Sequence, residues 1–445
     1  MSSYPQIVGV LNITPDSFSD GGLYLDVDCA LKRAHEMYND GALIIDIGGQ
    51  SSRPGAEPVA TDIELARVLP IIERLSTELP TVRISIDTYC PKVAIAACGA
   101  GATIINDITG FSNPEMIEAA LQAGADCVLL HMAGNPHTMQ DNPFYIDVAF
   151  EVSEYLMEGA ERLTAAGVSA EKIILDPGYG FGKTLDHNLE LLLHASELAE
   201  RVHKAGHKLL IGVSRKSFIG NLFGIEDPVQ RDEASAQFAA VFAANGVDYL
   251  RVHDVAISLR AIERLMDSRT PAVDAYIALG SNMGGSMGNI ANALRHLDAL
   301  PHTSLEDYAA PVMSEPAYDA DQTSFTNTVC RLKTQLEPLA LFAYMQAIEV
   351  EMGREETRPN GPRIIDLDLL TYGNQVIDLP ELQVPHSRMA ERAFVVEPLH
   401  QIAPNFTLPN GSTLDSRYAT HGKIISNLPK AAIESELLRK QEQDR

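Results

Sequence analysis

Side chains able to bind phosphate, carboxylate or a nitrogen heterocycle recur at the ends of short apolar runs in the first half of the chain. Asp87, Asn106 and Asp176 each close such a run and offer hydrogen-bond acceptors and an amide. These groups suit the edge of an amino-substituted nitrogen heterocycle. A second set is cationic and suits phosphate or carboxylate. It comprises Arg53, Lys216, Arg251 and His253.

The loop from Val10 to Gly22 reads V-L-N-I-T-P-D-S-F-S-D-G-G and follows the apolar run 7–11. Asn12 lies where this run ends, so its amide oxygen can face a cation or a ligand. Pro15 and the Gly21–Gly22 pair suit a loop that folds over a ligand and releases it. An ordinary solvated turn is the alternative, but such a turn needs fewer polar residues.

Eight apolar runs alternate with amphipathic segments between Ile7 and Met266, which predicts parallel strands alternating with helices. Eight such units in this length predict a (β/α)8 barrel, in which all the loops after the strands converge on one face. A single polar residue after a strand is often a helix cap. Capping does not explain a polar group after every one of eight runs, so we expect a shared site.

The stretch 176–184, D-P-G-Y-G-F-G-K-T, is similar to a phosphate-binding P-loop. The required first glycine falls on Pro177, and the spacing from Gly178 to Gly182 is one residue short. We therefore interpret it as the end of the sixth strand. Asp176 then points into the site, and the glycines let the loop pass close to a flat ligand.

Five motifs together resemble dihydropteroate synthase, the pterin-binding barrel of folate synthesis, over about residues 5–267. They are N-I-T-P-D-S-F-S-D-G-G, S-S-R-P-G, D-P-G-Y-G-F-G-K-T, G-V-S-R-K-S and R-V-H-D-V. The resemblance implies condensation of a dihydropterin-methyl diphosphate with p-aminobenzoate. The family usually has Thr where Ser52 stands and often Glu where Gln50 stands. Because serine keeps the hydroxyl, we expect the chemistry to be retained.

The same resemblance implies roles for individual residues. Asn12 would ligate a Mg2+ held by the diphosphate. Four residues would hold the pterin edge: Asp87, Asn106, Asp176 and Lys216. Arg251 and His253 would bind the departing diphosphate, and the aminobenzoate would lie near Ser52, Arg53, Phe181 and Ser217.

A polar stretch containing Pro271 separates this segment from a second pattern. We expect the barrel to occupy 1–268, a linker 269–274, a second domain 275–425 and a charged tail 426–445 that is frayed at its end. The order of strand, helix, two strands, helix and strand predicts a ferredoxin-like α+β domain.

The second pattern contains Gly361-Pro-Arg-Ile-Ile-Asp-Leu-Asp-Leu-Leu370. Residues two apart in a strand face the same side, so Asp366 and Asp368 form a carboxylate pair. Such a pair suits Mg2+ ions on a nucleotide triphosphate. A solvated edge strand would not usually carry two charges within an apolar run. Arginines and a histidine for phosphate binding are also present: Arg354, Arg363, Arg392 and His386.

Residues 275–410 resemble 6-hydroxymethyl-7,8-dihydropterin pyrophosphokinase through A-L-G-S-N, G-P-R-I-I-D-L-D-L-L, V-P-H and E-R-A-F-V. The resemblance implies transfer of diphosphate from ATP to the pterin hydroxymethyl group. Asp366 and Asp368 would bind Mg2+, and Arg363, His386 and Arg392 would bind the nucleotide. The pterin would lie against Asn327, Phe325 and Phe394. The stretch 358–360 lacks the family's Arg-Trp, and the loop 314–324 is short.

Composition bounds the remaining possibilities. A net charge of −26 argues against nucleic acid as a partner, and no apolar stretch approaches the ~18 residues of a membrane span. The five cysteines are scattered without metal-site spacing, which is typical of reduced thiols. Together with the absence of a recognisable signal peptide, this predicts a cytoplasmic protein.

The hypothesis is a fused enzyme that runs two consecutive folate steps and forms a homodimer through the barrel. Three alternatives stay open. One is a barrel that transfers methyl groups to a corrinoid, one is a synthase with a weakened or regulatory second half, and one is a pterin-binding protein without catalysis. The sequence does not predict whether the intermediate is channelled.

Overall fold

The computed structural model describes residues 4–14, 27–51, 57, 59–318, 321–354, 361–415, 417 and 419–443. The chain divides into two compact units. The first extends to Met266, and the second begins at Asp267 and also includes Leu222–Ile225. Within the described parts of the chain, no helix has the length and apolar character needed to cross a bilayer.

The first unit is a closed barrel of eight parallel strands in sequential order, with the first strand paired to the eighth. The strands are β1 (Gln6–Asn12), β2 (Ile44–Gly48), β3 (Arg83–Asp87), β4 (Ile104–Asp107), β5 (Asp126–Leu130), β6 (Ile173–Asp176), β7 (Lys208–Ile211) and β8 (Tyr249–Val252). The predicted barrel is therefore confirmed, and the strand ends carry the polar residues expected there.

The helices of this unit lie between the strands. They are α1 (Val27–Asn39), α2 (Thr61–Glu78), α3 (Pro91–Ala100), α4 (Pro114–Ala123), α5 (Val148–Ala165), α6 (Leu185–Leu193), α7 (Ala195–Lys204), α8 (Ser217–Phe223), α9 (Asp232–Ala244) and α10 (Val255–Met266). The pattern predicted one helix over 185–205, but the structure has two, because the backbone at His194 leaves helical geometry with ψ of 12°. The short helix α8 was not predicted.

The barrel interior is built in layers. The lower layer contains seven buried apolar or aromatic side chains: Val8, Ile44, Ile104, Val128, Ile174, Leu210 and Tyr249. Alternate residues of a strand face the same side, so the residue two positions later also faces the interior. Those positions include Asp46, Asn106, Asp176 and Arg251. A charged layer therefore lies directly above an apolar one, at the carboxyl ends of the strands.

The second unit is built on an antiparallel sheet. Its strands are β9 (Val273–Ser281), β10 (Thr303–Tyr308), β11 (Val312–Ser314), β12 (Phe325–Thr334), β13 (Asp366–Tyr372) and β16 (Ile424–Asn427), and a separate hairpin contains β14 (Ile377–Asp378) and β15 (Gln383–Val384). The order in the sheet is β13-β9-β12-β11-β16, with β10 also paired to β12. Its helices are α11 (Ser286–Asp298), α12 (Pro338–Glu351), α13 (Ala393–Ile402) and α14 (Ala431–Gln443). The predicted α+β architecture is confirmed.

One local prediction in this unit was wrong. The pattern predicted one strand over 303–312, but it is divided into β10 and β11 around Pro311, which has no N–H to donate to a ladder. The tail from Ser426 was expected to be charged and helix-prone, with 434–445 frayed at the surface. The structure forms α14 there, and ahead of the stretch expected to be frayed β16 pairs with β11 and Ile433 is fully buried. A few apolar residues among many charges are enough to dock this segment.

Candidate functional site

Three predicted site residues of the barrel, Asn12, Asp87 and Asn106, lie in one row with Gly48 across adjacent strands. Asn12 pairs with Gly48, Gly48 with Asp87, and Asp87 with Asn106. A Cβ added at Gly48 would lie 3.4 Å from Oδ1 of Asn12 and 3.7 Å from Cβ of Asp87. The missing side chain at Gly48 therefore leaves a space between an amide and a carboxylate.

The guanidinium of Arg251 binds two carboxylates in the charged layer. Its Nε donates to Oδ2 of Asp46 at 2.6 Å, and one terminal nitrogen donates to Oδ2 of Asp87 at 2.9 Å. Asn106 also donates from Nδ2 to Oδ2 of Asp46 at 3.3 Å. The pairing gives Arg251 a second role that the sequence did not predict, because it holds Asp87 in place.

Asp46 is a site residue that sequence reasoning missed. It is 1% exposed, and its Oδ1 and the Oδ1 of Asn106 are buried without a hydrogen-bond partner among the described residues. A buried carboxylate is stable only when it is paired and hydrogen-bonded. The available signal was a lone charge inside the apolar run I-I-D-I-G.

Burial dominates the acid–base behaviour of this layer. It raises the pKa of Asp87 above its ordinary value, with Arg251 opposing and Asp46 adding to the rise. Burial likewise raises the pKa of Asp176, against the hydrogen bond from Gly178. Burial and the neighbouring Arg251 lower the pKa of Lys216. Acidic and basic groups with shifted pKa values therefore lie together at the rim of the barrel, as is typical of functional sites.

Lys216 and the loop after β6 are in contact. Nζ of Lys216 lies 3.7 Å from the centroid of the Phe181 ring, a cation–π distance. Gly180 has φ of 75°, and a Cβ there would lie 3.2 Å from Cδ of Lys216. At the start of this loop, the N–H of Gly178 donates to Oδ1 of Asp176 at 2.8 Å. The predicted residues Asp176, Phe181 and Lys216 are thus brought together.

Arg215 determines the direction of the chain before Lys216. It has φ of 60°, which is unusual for a residue other than glycine. Its Nε and one terminal nitrogen each lie 2.7 Å from the carboxylate oxygens of Asp232, and its N–H donates to Oγ of Ser235 at 3.0 Å. We infer that these contacts stabilise the turn that presents Lys216 to the site. Sequence reasoning did not single out this role.

The remaining predicted residues of the barrel lie further out or outside the described residues. Nδ1 of His253 lies 3.0 Å from Oγ of Ser214, at the end of β8. Ser217 is exposed at the start of α8. Ser52 and Arg53 fall outside the described residues, as do Pro15, Gly21 and Gly22.

The carboxylate pair of the second unit lies on one face of β13. Arg363 forms an ion pair with Oδ1 of Asp366, and Arg392 donates to Oδ2 of Asp368 at 2.6 Å. Nε2 of His386 lies 3.8 Å from Oδ1 of Asp368. Each aspartate is therefore held by its own arginine.

The two carboxylates fit a magnesium site that substrate completes. Burial, followed by the charge of Asp368, raises the pKa of Asp366, so a cation placed there would relieve a repulsion. Over the described ranges, no cluster of three or more His, Cys, Asp or Glu residues forms. Mg2+ commonly uses one or two carboxylates together with water and substrate phosphates. The donor set matches that mode of binding.

The predicted pterin residues lie next to this pair. Gly280 pairs with Asp366 on one side and with Asn327 on the other, so the three form a row. A Cβ at Gly280 would lie 2.9 Å from Oδ1 of Asn327. Nδ2 of Asn327 donates to Oγ of Ser314 at 3.0 Å, which orients the amide. Phe325 lies two residues earlier on the same strand, so it faces the same side.

Phe394 lies in α13, and Arg354 follows the end of α12. The guanidinium carbon of Arg392 lies 5.8 Å from the ring centroid of Phe394, and this ring packs against the buried cluster under α13. Arg354 donates to Oε2 of Glu349 at 2.9 Å at the end of α12. The other oxygen of Glu349 accepts from the N–H of Leu367, between the two aspartates, at 2.6 Å. Sequence reasoning missed Glu349, and the stretch 358–360 falls outside the described residues.

The comparisons with known proteins cover both units. The pterin binding enzyme family matches residues 8–253, more than half of the chain, and the 7,8-dihydro-6-hydroxymethylpterin-pyrophosphokinase family matches residues 276–404. The dihydropteroate synthase of Escherichia coli strain K12 is 45% identical over 260 residues, which is 58% of this chain and 90% of that protein.

Solved structures agree with this assignment. The Yersinia pestis dihydropteroate synthase in complex with a sulfonamide drug is 43% identical, with a TM-score of 0.55 over 58% of this chain and 92% of that one. The Xanthomonas albilineans dihydropteroate synthase with 4-aminobenzoic acid is 40% identical, with a TM-score of 0.54 over 58% of this chain and 91% of that one. The chain belongs to the pterin binding enzyme family, and its barrel is joined to a domain of the hydroxymethylpterin pyrophosphokinase family.

Proposed function

We propose that this chain catalyses two consecutive steps of folate synthesis. The second unit transfers diphosphate from ATP to 6-hydroxymethyl-7,8-dihydropterin and releases AMP. The barrel then condenses the resulting dihydropterin-methyl diphosphate with p-aminobenzoate, which gives dihydropteroate and diphosphate. The observation that carries the proposal is the buried layer of Asp46, Asp87, Asn106 and Arg251 at the carboxyl ends of the barrel strands.

In the barrel, the pterin edge would bind Asp87, Asn106, Asp176 and Lys216. A pterin presents N–H donors and ring acceptors in one plane, and this set supplies carboxylates, an amide and an amine. Oδ1 of Asp46 and Oδ1 of Asn106, which find no hydrogen-bond partner in the part of the chain that the structure describes, belong to side chains of this layer. A bound heterocycle could satisfy the amide oxygen of Asn106, which lies in the row with Asp87.

The condensation breaks the bond between the methylene carbon and the diphosphate oxygen. The aromatic amine attacks the carbon and loses one proton after the new C–N bond forms. The departing diphosphate gains negative charge, which His253 and Arg251 can stabilise, and Mg2+ bound through Asn12 would supply further Lewis-acid stabilisation. No strong base is needed, because the amine attacks in its neutral form.

In the second unit, Asp366 and Asp368 would hold Mg2+ on the triphosphate of ATP. The hydroxymethyl oxygen of the pterin forms a bond to the β-phosphorus and loses its proton to solvent. The bond between the β-phosphorus and the oxygen that bridges it to the α-phosphorus breaks, and AMP leaves with that oxygen. Arg363, Arg392 and His386 lie beside the two carboxylates and would bind phosphate oxygens. We expect Arg354 to bind phosphate only if its ion pair with Glu349 breaks.

We also propose that the protein is cytoplasmic and dimerises through the barrel. All five cysteines are free thiols, which is typical of a reducing compartment. Analytical ultracentrifugation of the full chain tests the dimer, since a monomer at all concentrations would refute it.

A coupled assay tests the two activities. Purified protein is given 6-hydroxymethyl-7,8-dihydropterin, ATP, Mg2+ and p-aminobenzoate, and AMP and dihydropteroate are both quantified. We expect both products, and dihydropteroate should also form from supplied pterin diphosphate without ATP. Binding of substrates without either product would favour a non-catalytic pterin-binding protein.

A further inference from the structure

A buried lysine in the loop between β6 and α6 has contacts that the proposed reaction does not use. Lys183 is 4% exposed. Its Nζ lies 2.9 Å from Nδ1 of His131, 3.0 Å from the carbonyl oxygen of Gly178 and 3.1 Å from that of Phe181. In its ammonium form this group has three N–H donors, so the acceptors match the donors in number. Burial lowers the pKa of Lys183 to about 7, so this form predominates below about pH 7.

Two of these acceptors belong to the residues that touch the pterin site. Gly178 donates its N–H to Asp176 at 2.8 Å while its carbonyl oxygen accepts from Lys183. The ring of Phe181 lies under Nζ of Lys216 at 3.7 Å while its carbonyl oxygen also accepts from Lys183. Lys183 therefore binds the backbone of the same two residues whose other groups contact Asp176 and Lys216.

The loop is rich in glycine, and Lys183 is one of several side chains that hold its shape. Gln140 and Tyr145 donate to the carbonyl oxygens of Gly180 and Gly182 at 2.7 and 2.9 Å, and the N–H of Gly180 donates to Oδ1 of Asn188 at 2.7 Å. Gly178, Gly180 and Gly182 all have positive φ, at 65°, 75° and 60°. Glycine loses more conformational entropy on folding than any other residue, so a loop with three of them needs compensating contacts. A Cβ at Gly178 would lie 2.0 Å from the carbonyl oxygen of His131, so a larger residue is excluded there.

His131 is a fixed anchor for the lysine. Its backbone N–H donates to the carbonyl oxygen of Asp176 at 2.9 Å. Its ring contacts the ring of Tyr155 edge-on, with 4.8 Å between the ring centroids. Burial, together with the charge of Lys183, lowers the pKa of His131 to about 2. The ring is therefore neutral at physiological pH, and its Nδ1 can accept a hydrogen bond from the ammonium.

We propose that Lys183 is a positioning residue of the synthase site, which holds loop 177–183 so that Phe181 stays under Lys216 and Gly178 stays on Asp176. The lysine of the G-K-T sequence thus donates hydrogen bonds to backbone carbonyl oxygens of its own loop. That the positioned residues bind a dihydropterin rests on the proposed function.

The test compares Lys183→Met with Lys172→Met in the full chain. Lys172 provides a matched control, because its Nζ donates to the carbonyl oxygen of Gly124 at 2.7 Å in an exposed position. We expect Lys183→Met to accelerate amide hydrogen exchange of residues 178–182 in the ligand-free protein. It should also raise KM for dihydropterin-methyl diphosphate about tenfold, equivalent to about 1.4 kcal/mol. Pyrophosphokinase activity should stay at the wild-type level in both variants.

A double-mutant cycle with Phe181→Leu gives the second readout. If Lys183 acts through Phe181, the double variant should be no worse than the more impaired single variant. Additive losses would overturn the inference, as would exchange and KM within twofold of the Lys172→Met control. If circular dichroism shows that Lys183→Met is unfolded, Lys183→Gln replaces it, with the same outcomes deciding.

The design separates this inference from the proposed function. If the wild-type protein forms no dihydropteroate, the proposed function fails, and the hydrogen-exchange comparison alone decides the role of Lys183. If the wild-type protein is active and Lys183→Met matches it in exchange and KM, only the inference fails.

Discussion

The two candidate sites hold their carboxylates in different ways. In the barrel, Asp46 and Asp87 share the single guanidinium of Arg251, and the side chains of Asp46, Asp87 and Arg251 are 1%, 12% and 17% exposed. In the second unit, Asp366 and Asp368 each have a separate arginine, and both carboxylates are partly exposed. The barrel site is therefore organised before any ligand arrives. In the sheet site, a bound ligand can displace the two arginines from their carboxylates. The predictions below test this difference.

The largest effect is expected at the sheet site. Asp366→Ala should lower AMP formation by more than about 100-fold, since even residues that only support metal ligands affect activity by 10–100-fold. Dihydropteroate formation from supplied pterin diphosphate should be unchanged. Asp378→Ala, which removes an exposed carboxylate from β14, serves as the control and should retain both activities. Loss of both activities in a folded Asp366→Ala variant would refute the model of two separate sites.

Breaking the shared pair in the barrel should mainly affect stability. Asp46→Asn leaves Arg251 with a single charged partner in a buried layer, so we expect a loss of about 3–5 kcal/mol in the free energy of unfolding. Asp126→Asn is the matched variant, since its ion pair with Arg83 is partly exposed, and it should cost less than about 1 kcal/mol. Urea unfolding of each variant measures the difference, and equal losses would contradict the proposed organisation.

Filling the glycine gaps should distinguish the two pterin pockets. Gly280→Ala would bring a Cβ to 2.9 Å from Asn327, whereas Gly48→Ala would bring one only to 3.4 Å from Asn12. We expect Gly280→Ala to raise the pyrophosphokinase KM for hydroxymethyl-dihydropterin about tenfold, since overpacking costs about 1–3 kcal/mol. Gly48→Ala should change the synthase KM less. Gly285→Ala, with no atom within 4 Å of its Cβ, is the control. A larger rise in KM for Gly48→Ala than for Gly280→Ala would contradict this prediction.

The last prediction concerns the dependence of stability on pH. Burial and Lys183 lower the pKa of His131 to about 2, so between about pH 6.5 and pH 2 the unfolded chain binds a proton that the folded chain does not. The free energy of unfolding therefore falls as pH drops below about 6.5, by up to about 1.4 kcal/mol per pH unit from this residue. His131→Gln should flatten this dependence between pH 6.5 and 5, as measured by urea unfolding. An unchanged slope would show that His131 is protonated in the folded state.

Strand ends were the most predictable part of the molecule. Asn12, Asp87, Asn106, Asp176 and Arg251 all lie at the barrel rim, because a parallel barrel brings every carboxyl end to one face. The carboxylate pair was predictable for a similar reason, since alternate residues of a strand share a face.

What the sequence did not reveal depends on contacts between distant residues. Asp46 was hidden inside an apolar run, because only the closed barrel brings Arg251 against it, 205 positions away. Glu349 lies in a helix, where one acidic residue has no distinguishing pattern, and it reaches the N–H of Leu367 only after α12 packs on β13. The docking of α14 depends on Ile433, and one apolar side chain is a weak signal among many charges.

The apolar layer beneath the charged one closes the barrel at its base. Seven side chains fill the interior there, so the described residues leave no passage through the base of the barrel. Both reactants of the condensation would therefore have to arrive, and both products depart, through one mouth. The first reactant to enter would lie deepest, and before the two are joined it could leave only after the second had left. The architecture itself would therefore impose a sequence on substrate exchange.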